Sequence, residues 1–165
     1  MSPEIEIRTA TSDDWSGIWR VLEPAFRAGE TYTYPRDIGE AEARAAWTAA
    51  PGARVLVAVG TDGVVGTAKY LPNLPGAGAH VANASFVVGP GSGGRGVGRA
   101  LANAVLDGAR AEGYLAMQFN AVVETNERAV RLWESFGFEI LATVPEAFRH
   151  PTAGLVGLHI MYRDL

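Results

Sequence analysis

The chain contains no cysteine, and this absence excludes several classes of protein. Disulfide scaffolds, thiolate nucleophiles and cysteine-bound zinc sites all require that residue. The 3 histidines show no ligand spacing with acidic partners, so the sequence predicts no metal site. A chain without disulfides is compatible with the reducing cytosol.

An excess of positive charge and long apolar runs are also lacking. The formal net charge is −4, which gives no general attraction to nucleic acids or acidic membranes. The apolar runs fall far below the ~20 residues that a membrane helix needs. The first residues, MSPEIEIRTA, lack the basic and then apolar regions of a signal peptide. We therefore expect a cytoplasmic protein that binds neither nucleic acid nor membrane.

The chain is long and apolar enough to fold as one domain. Its 165 residues are 48% apolar, which predicts a single domain over residues 1–165. Periodicity predicts an α/β chain with a hairpin early, a strand–helix–strand unit in the middle and two strands at the end. The predicted strands lie at 4–9, 55–59, 64–71, 84–88, 115–123, 138–144 and 155–162, and the predicted helices at 15–28, 40–49, 97–112 and 126–136.

Residues 80–101 organise the rest of the chain. The apolar run 84–88 predicts a buried strand, and a loop with five glycines separates it from the helix that begins near Val97. Glycines let the backbone approach a ligand, and the unpaired N–H groups and dipole of a helix N-terminus favour negative charge. The stretch therefore predicts a phosphate or pyrophosphate site.

The kind of phosphate compound is not fixed by the glycines alone. Residues 91–96 match the dinucleotide fingerprint GxGxxG, but no acidic residue ends the next strand at the expected distance of about 20 positions, since Glu124 ends that strand 33 positions after Gly91. No Gly-Lys-Ser/Thr is present, which excludes a Walker A loop. A small dinucleotide-binding domain remains one alternative, and it would predict NAD(H) binding.

Two motifs in order resemble those of the GNAT acetyltransferase superfamily. The first is Val88-x-Pro90 followed by residues 93–101, although Gly93 stands where the family has Arg or Gln. The second is the run from Asn126 to Phe138, which is similar to N-x-x-A-x-x-L-Y-x-x-x-G-F. The resemblance implies a GNAT fold, in which a mixed and mostly antiparallel sheet splays between two central parallel strands and is flanked by about four helices.

The resemblance also implies acetyl-CoA as the acetyl donor. It places the cofactor against Val87, Val88, Gly93, Gly94, Arg95, Gly96, Val97, Gly98, Arg99, Asn126 and Trp133. A backbone N–H near Val87 or Val88 would serve as the oxyanion donor. Asn126 would bond the pantetheine arm, and it also suits a helix N-cap. Trp133 replaces the tyrosine that usually protonates the leaving thiolate, so a tyrosine-centred mechanism is not expected.

Two asparagines are candidates for the acceptor site. Asn83 and Asn120 each interrupt an apolar strand, where a buried amide must find partners. They are either satisfied structural amides or a neutral pair that holds a carboxylate and an amine. Residues 80–138 resemble the fungal azetidine-2-carboxylate N-acetyltransferases, and the resemblance assigns both asparagines to the acceptor.

Four other residues complete the predicted site. The resemblance implies that Tyr32, Tyr34 and Phe86 line the acceptor pocket, and the alternative for the two tyrosines is that they only cover the core. Glu124 ends its strand and is the carboxylate candidate for a water-mediated base, or else a helix cap or a solvated side chain.

We therefore expect an N-acetyltransferase for a small-molecule amine, such as a proline-like amino or imino acid, acting in a ternary complex. The alternatives are a phosphinothricin-type amino acid or a protein amine as acceptor, and a non-catalytic acyl-CoA-binding module. The apolar last strand is compatible with a homodimer.

Overall fold

A computed structural model describes residues 4–165 as a sheet with helices on both faces. The strands are β1 (Glu6–Thr9), β2 (Arg54–Gly60), β3 (Gly63–Pro72), β4 (Val81–Val88), β5 (Ala116–Val123), β6 (Glu139–His150) and β7 (Gly154–Asp164). The helices are α1 (Trp15–Ala28), α2 (Glu40–Thr48), α3 (Val97–Ala111) and α4 (Glu127–Ser135). Residues 1–3 of the predicted domain lie outside the described part of the chain.

The sheet has seven strands in the order β1-β2-β3-β4-β5-β7-β6. Every neighbouring pair is antiparallel except β4 and β5, which are joined through α3 and run parallel. These two strands pair only at Val81 with Ala116 and at Ala82 with Met117. Beyond that point they diverge, which confirms the predicted GNAT fold with its splayed central strands.

The core lies in two layers, one on each face of the sheet. Helices α1 and α2 cover one layer, which contains Ile18, Leu22, Phe26, Trp47 and Val57. Helices α3 and α4 cover the other, which contains Leu101, Val105, Met117, Phe119 and Trp133. The gap between β4 and β5 lies in the middle of the sheet, between these two layers.

Helix α3 packs directly on β3, and a glycine permits this approach. A Cβ atom added at Gly66 would lie 2.8 Å from Cγ1 of Val97, the first residue of α3. Such a distance requires the Val97 side chain, or the helix that carries it, to shift. The packing fixes the N-terminus of α3 beside the end of β4, where the glycine-rich loop enters it.

The last hairpin departs most from the sequence-based prediction. The predicted strand ended at residue 144, whereas β6 continues to His150 and pairs with β7 down to Gly154. Most of β6 is exposed and Phe148 is the one buried residue of its second half, so no period-2 pattern marks that half of the strand. A register shift between Val144 and Phe148 further disturbs the pattern.

Candidate active site

A cavity of about 900 Å³ opens where β4 and β5 diverge. Its walls come from β4, the loop of residues 89–96, the first turn of α3, the second half of β5, helix α4 and the linker between α1 and α2. Parallel strands that separate at their carboxyl ends leave such a crevice in many α/β proteins. The two predicted motifs and the two predicted asparagines therefore meet in one place.

The glycine-rich loop has open backbone, which Gly94 and Gly96 present to this cavity, whereas Gly91 does not line it. Gly91, Gly94 and Gly96 have φ angles of 77°, 79° and 77°, a region that side chains rarely adopt. A Cβ atom added at any of them would meet nothing within 4 Å. Helix α3 begins directly after Gly96, and the first N–H groups of a helix have no partner within it. The loop and the helix dipole together fit a pyrophosphate.

An arginine from α4 lies over the glycine at which the first motif departs from its family. A Cβ atom at Gly93 would lie 3.2 Å from Nη1 of Arg128, so this guanidinium occupies the space beside the loop. Arg128 lines the cavity together with Arg99 and Arg131. Sequence reasoning missed Arg128, because its approach to Gly93 depends on how α4 docks. It supplies a cation where the motif has lost its Arg or Gln.

We expect Arg128→Gln to weaken acetyl-CoA binding by about tenfold. A guanidinium–phosphate contact is a charge-assisted hydrogen bond, and these are worth about 1.5–3 kcal/mol each. Arg110→Gln is the matched control, because Arg110 lies near the end of α3 and pairs with Asp107. Calorimetric titration with acetyl-CoA checks both variants, and equal affinities for them would remove Arg128 from the binding site.

The backbone of β4 offers one donor to the gap. The Gly89 N–H donates to the Val65 carbonyl at 2.8 Å, which fixes the alternation of hydrogen bonds between β3 and β4. The backbone N–H of Val87 therefore points toward β3, whereas the backbone N–H of Val88 points into the gap between β4 and β5. Of the two residues predicted for the oxyanion donor, the ladder favours Val88.

Tyr32 holds the neighbouring backbone groups of β4. Its hydroxyl accepts a hydrogen bond from the Phe86 N–H at 3.2 Å and donates to the Phe86 carbonyl. Burial raises the pKa of Tyr32 above its usual value. This hydroxyl consequently replaces a missing strand partner at Phe86, and it leaves the Val88 N–H as the donor further along the gap.

Aromatic rings form another part of the cavity wall. Trp133 packs against Phe86 and Phe119, with ring centroids 4.6 and 4.8 Å apart, and it is 7% exposed. It lines the cavity, as does Asn126, whose side chain accepts from the Ala129 N–H at 3.3 Å as an N-cap. The amide nitrogen of Asn126 remains available to a ligand.

Neutral polar side chains line the other end of the cavity, which we call the acceptor end. They are Thr31, Tyr32, Thr33, Tyr34, Asn83, Ser85 and Asn120. Asn83 is half-buried, whereas Asn120 is exposed, contrary to the expectation of a buried amide. Asn120 accepts from Nε2 of Gln118 at 2.9 Å and donates to Oδ1 of Asn73 at 2.7 Å. One hydrogen and one lone pair of its amide remain for a ligand.

Two predicted site residues lie elsewhere. Glu124 does not line the cavity, and its Oε1 accepts from the Gly157 N–H at 2.7 Å. The expectation of a base at Glu124 therefore lacks structural support, because its carboxylate forms a hydrogen bond that connects the end of β5 to β7. Arg95 lines a smaller neighbouring cavity with Ile5 and Asp62. The other predicted site residues all line the main cavity.

Neither a metal cluster nor a membrane span is found in the part of the chain that the structure describes. No group of three or more His, Cys, Asp or Glu residues within 4–165 could hold a metal ion. None of the helices in that range is long and apolar enough to cross a bilayer.

The sequence profile of the acetyltransferase (GNAT) family matches residues 15–138. A GCN5-related N-acetyltransferase from Kribbella flavida is 51% identical and superposes with a TM-score of 0.93 over 98% of both chains. The acetyltransferase yncA from Salmonella typhimurium, solved with acetyl-CoA, is 26% identical, with a TM-score of 0.85 over 98% of this chain and 94% of that one. The N-acetyltransferase aca1 of Schizosaccharomyces pombe is 37% identical over 86 residues, which are 52% of this chain and 41% of that relative.

These comparisons decide whether the glycine-rich loop belongs to an acetyltransferase or to a dinucleotide-binding domain. The matched profile includes both the glycine-rich loop and the second motif. The dinucleotide-binding alternative is therefore wrong, because the same loop belongs to an acetyltransferase fold.

Proposed function

Since the chain belongs to the GNAT acetyltransferase family and uses acetyl-CoA as its acetyl donor, we propose that its acceptor is the amine of a small amino or imino acid. One observation carries this proposal. The acceptor end of the cavity is lined by neutral hydrogen-bonding side chains, and within residues 4–165 no carboxylate lines the cavity. Polycationic acceptors such as polyamines lack an acidic partner there, whereas a carboxylate finds hydroxyl and amide donors.

The charges of the cavity are separated along its length. The only charged side chains that line it, among the residues described, are Arg99, Arg128 and Arg131. All three belong to α3 and α4, beside the glycine-rich loop, and they suit the phosphates of acetyl-CoA. The donor and the acceptor therefore have distinct ends, and they meet between Val88 and Asn120.

In this reaction the main task of the side chains is to position the acceptor amine against the thioester. Acetyl-CoA supplies the acetyl group as a thioester, and the neutral amine attacks its carbonyl carbon. A nitrogen–carbon bond forms, the carbon–sulfur bond breaks, and the amine proton passes to the leaving thiolate or to water. The Val88 N–H would stabilise the developing oxyanion, and Asn83 and Asn120 would orient the acceptor.

No side-chain acid stands at the usual tyrosine position. Trp133 fills it, and an indole N–H does not donate a proton in this range. The Tyr32 hydroxyl, which contacts β4, is held by the Phe86 backbone, and burial raises its pKa. The thiolate therefore departs without a side-chain acid, assisted by the proton of the amine or by water, and a thiolate is a tolerable leaving group.

A panel of acceptors tests the proposal. Thiol release from acetyl-CoA is measured with azetidine-2-carboxylate, proline analogues, methionine sulfoximine, phosphinothricin, polyamines, aminoglycosides and a lysine peptide. We expect the amino and imino acids to be acetylated at least about tenfold faster, in kcat/KM, than any acceptor without a carboxylate. A preference for polyamines or for the peptide would contradict the proposed acceptor class while leaving the enzyme an acetyltransferase.

A second acceptor class follows from the same cavity. A phosphinothricin-type amino acid also carries an amine beside a carboxylate, so the acceptor end suits it as well. Secondary amines in the panel distinguish the two classes. A protein amine would need a docking surface around the mouth, and a non-catalytic acyl-CoA-binding role is not favoured by the family.

The proposal extends to a homodimer. Strand β6 forms one edge of the sheet and exposes Ile140, Leu141 and Val144, and Leu155 on β7 is also exposed. An edge strand with exposed apolar residues is a surface that a second chain commonly covers.

A further inference from the structure

A lysine is buried beside the acceptor end without an acidic partner. Lys69 lies on β3 and is 7% exposed. Its Nζ donates to the Ala46 carbonyl at 2.8 Å and to the Tyr34 hydroxyl at 3.2 Å. No ion pair involves Lys69 among residues 4–165. A buried charge without a counter-ion is costly, so this position calls for an explanation.

Part of the explanation is local. Ala46 lies in the last turn of α2, and the negative end of the helix dipole stabilises a cation there. The ammonium also lies 5.0 Å from the Trp47 ring centroid and 5.9 Å from that of Tyr34. These contacts stabilise the ammonium less than an ion pair with a carboxylate would, and burial lowers the pKa of Lys69. The site therefore holds more positive potential than its protein partners neutralise.

The Tyr34 hydroxyl connects this charge to the cavity. Tyr34 lines the acceptor end, and its oxygen accepts the Lys69 hydrogen bond. A phenol has one hydrogen, which is then directed away from the ammonium and is free to donate to a ligand. A hydroxyl polarised by an adjacent cation is a stronger donor than a neutral one.

The neighbouring strand adds donors on the same face. Ser85 pairs with Lys69 across β3 and β4, so both side chains point to the α1–α2 face of the sheet. Asn83 lies two residues earlier on β4 and shares that face. Both residues line the cavity. Lys69, Tyr34, Ser85 and Asn83 thus form one cluster of donors, which we call the Lys69 cluster.

We propose that the Lys69 cluster recognises the carboxylate of the acceptor, with Tyr34 in contact and Lys69 positioned behind it. The acceptor carboxylate supplies the negative charge that the Lys69 ammonium lacks. With the carboxylate held there, the amine of the acceptor points toward the gap between β4 and β5. This inference deepens the proposed function and rests on it. Lys69 is a positioning and specificity-determining residue, because it acts through the Tyr34 hydroxyl.

The test compares two acceptors of the same size that differ in the charge of one group, azetidine-2-carboxylate and azetidine-2-carboxamide. For the natural chain we expect kcat/KM to favour the acid. In Tyr34→Phe, which keeps the ring and the bond from Lys69 to Ala46, the acid-to-amide ratio falls by about 10- to 100-fold, chiefly through KM. Tyr162→Phe is the matched control, because that hydroxyl bonds Asp164 on β7 and leaves the ratio unchanged.

Lys69→Met separates recognition from a structural role. If Lys69 acts through Tyr34, its loss lowers the same ratio, and adding Tyr34→Phe lowers it little further. A lysine that only caps α2 would change the melting temperature and leave the ratio as it was. That result, with a folded variant, overturns the inference.

Calorimetry distinguishes this inference from the proposed function. CoA replaces acetyl-CoA, so that both ligands bind without turnover. Tighter binding of the acid than of the amide to the natural chain, lost in Tyr34→Phe, supports the cluster even if neither compound is acetylated. Equal binding of the two compounds overturns it, even if other amino acids are substrates. Absence of turnover with all amino and imino acids is a failure of the proposed function alone.

Discussion

Gly96→Glu is expected to weaken acetyl-CoA binding by at least about 100-fold. Gly96 is the residue directly before α3, and a Cβ atom there would point into open space beside the loop. A carboxylate at this position would lie at the N-terminus that we assign to the pyrophosphate, so that like charges meet where the helix dipole favours an anion. Calorimetric titration with acetyl-CoA measures the loss.

The control must separate charge from backbone strain. Gly96 has a φ of 77°, and any side chain in this left-handed region costs about 1–2 kcal/mol. Gly96→Ala carries that cost without a charge, so we expect a folded protein with a much smaller loss of affinity. An unchanged affinity in Gly96→Glu would remove the loop from the binding site. Equal losses in both variants would attribute the effect to the backbone.

Asn120→Ala is expected to lower kcat/KM for the best acceptor by about 100-fold and to leave acetyl-CoA affinity within about twofold. Asn120 stands on β5 at the acceptor end, on the opposite side of the gap from Val88. The predicted loss corresponds to hydrogen bonds with a charged group and to a misaligned amine. Steady-state kinetics and calorimetry measure the two quantities separately.

Asn73→Ala is the matched control for Asn120. It removes the partner that accepts from the Asn120 amide at 2.7 Å, and Asn73 itself does not line the cavity. We expect a loss well below that of Asn120→Ala, because the amide remains and only its orientation relaxes. Similar acceptor kinetics for Asn120→Ala and the natural protein would mean that Asn120 has only a structural role, in the hydrogen bonds that connect Gln118 to Asn73.

Local pattern and motif order were enough to predict the fold and the location of the cavity. The strand at 84–88, the glycine loop and the helix from Val97 are contiguous, so their signals in the sequence are strong. The parallel pairing of β4 with β5 follows from the helical connection between them. Both asparagines were recognisable because an amide in an apolar strand is unusual.

The parts that were missed depend on contacts distant in sequence. Lys69 follows Ala68 in an ordinary strand pattern, and its burial depends on α2 and on the Tyr34 linker. Arg128 is one of several charged residues on α4, and only docking of that helix brings it over Gly93. For Glu124 the end of the strand suggested a catalytic carboxylate or a structural one, and the contact with the Gly157 N–H on β7 supports the structural role.

We propose that an amino or imino acid attacks acetyl-CoA directly, with both bound in the gap between β4 and β5. Initial rates of thiol release, with acetyl-CoA and azetidine-2-carboxylate both varied, test it most directly. Direct transfer in a ternary complex predicts double-reciprocal lines that intersect. Parallel lines, together with an acetylated protein formed in the absence of acceptor, would contradict the account, since they would require a covalent intermediate on this chain.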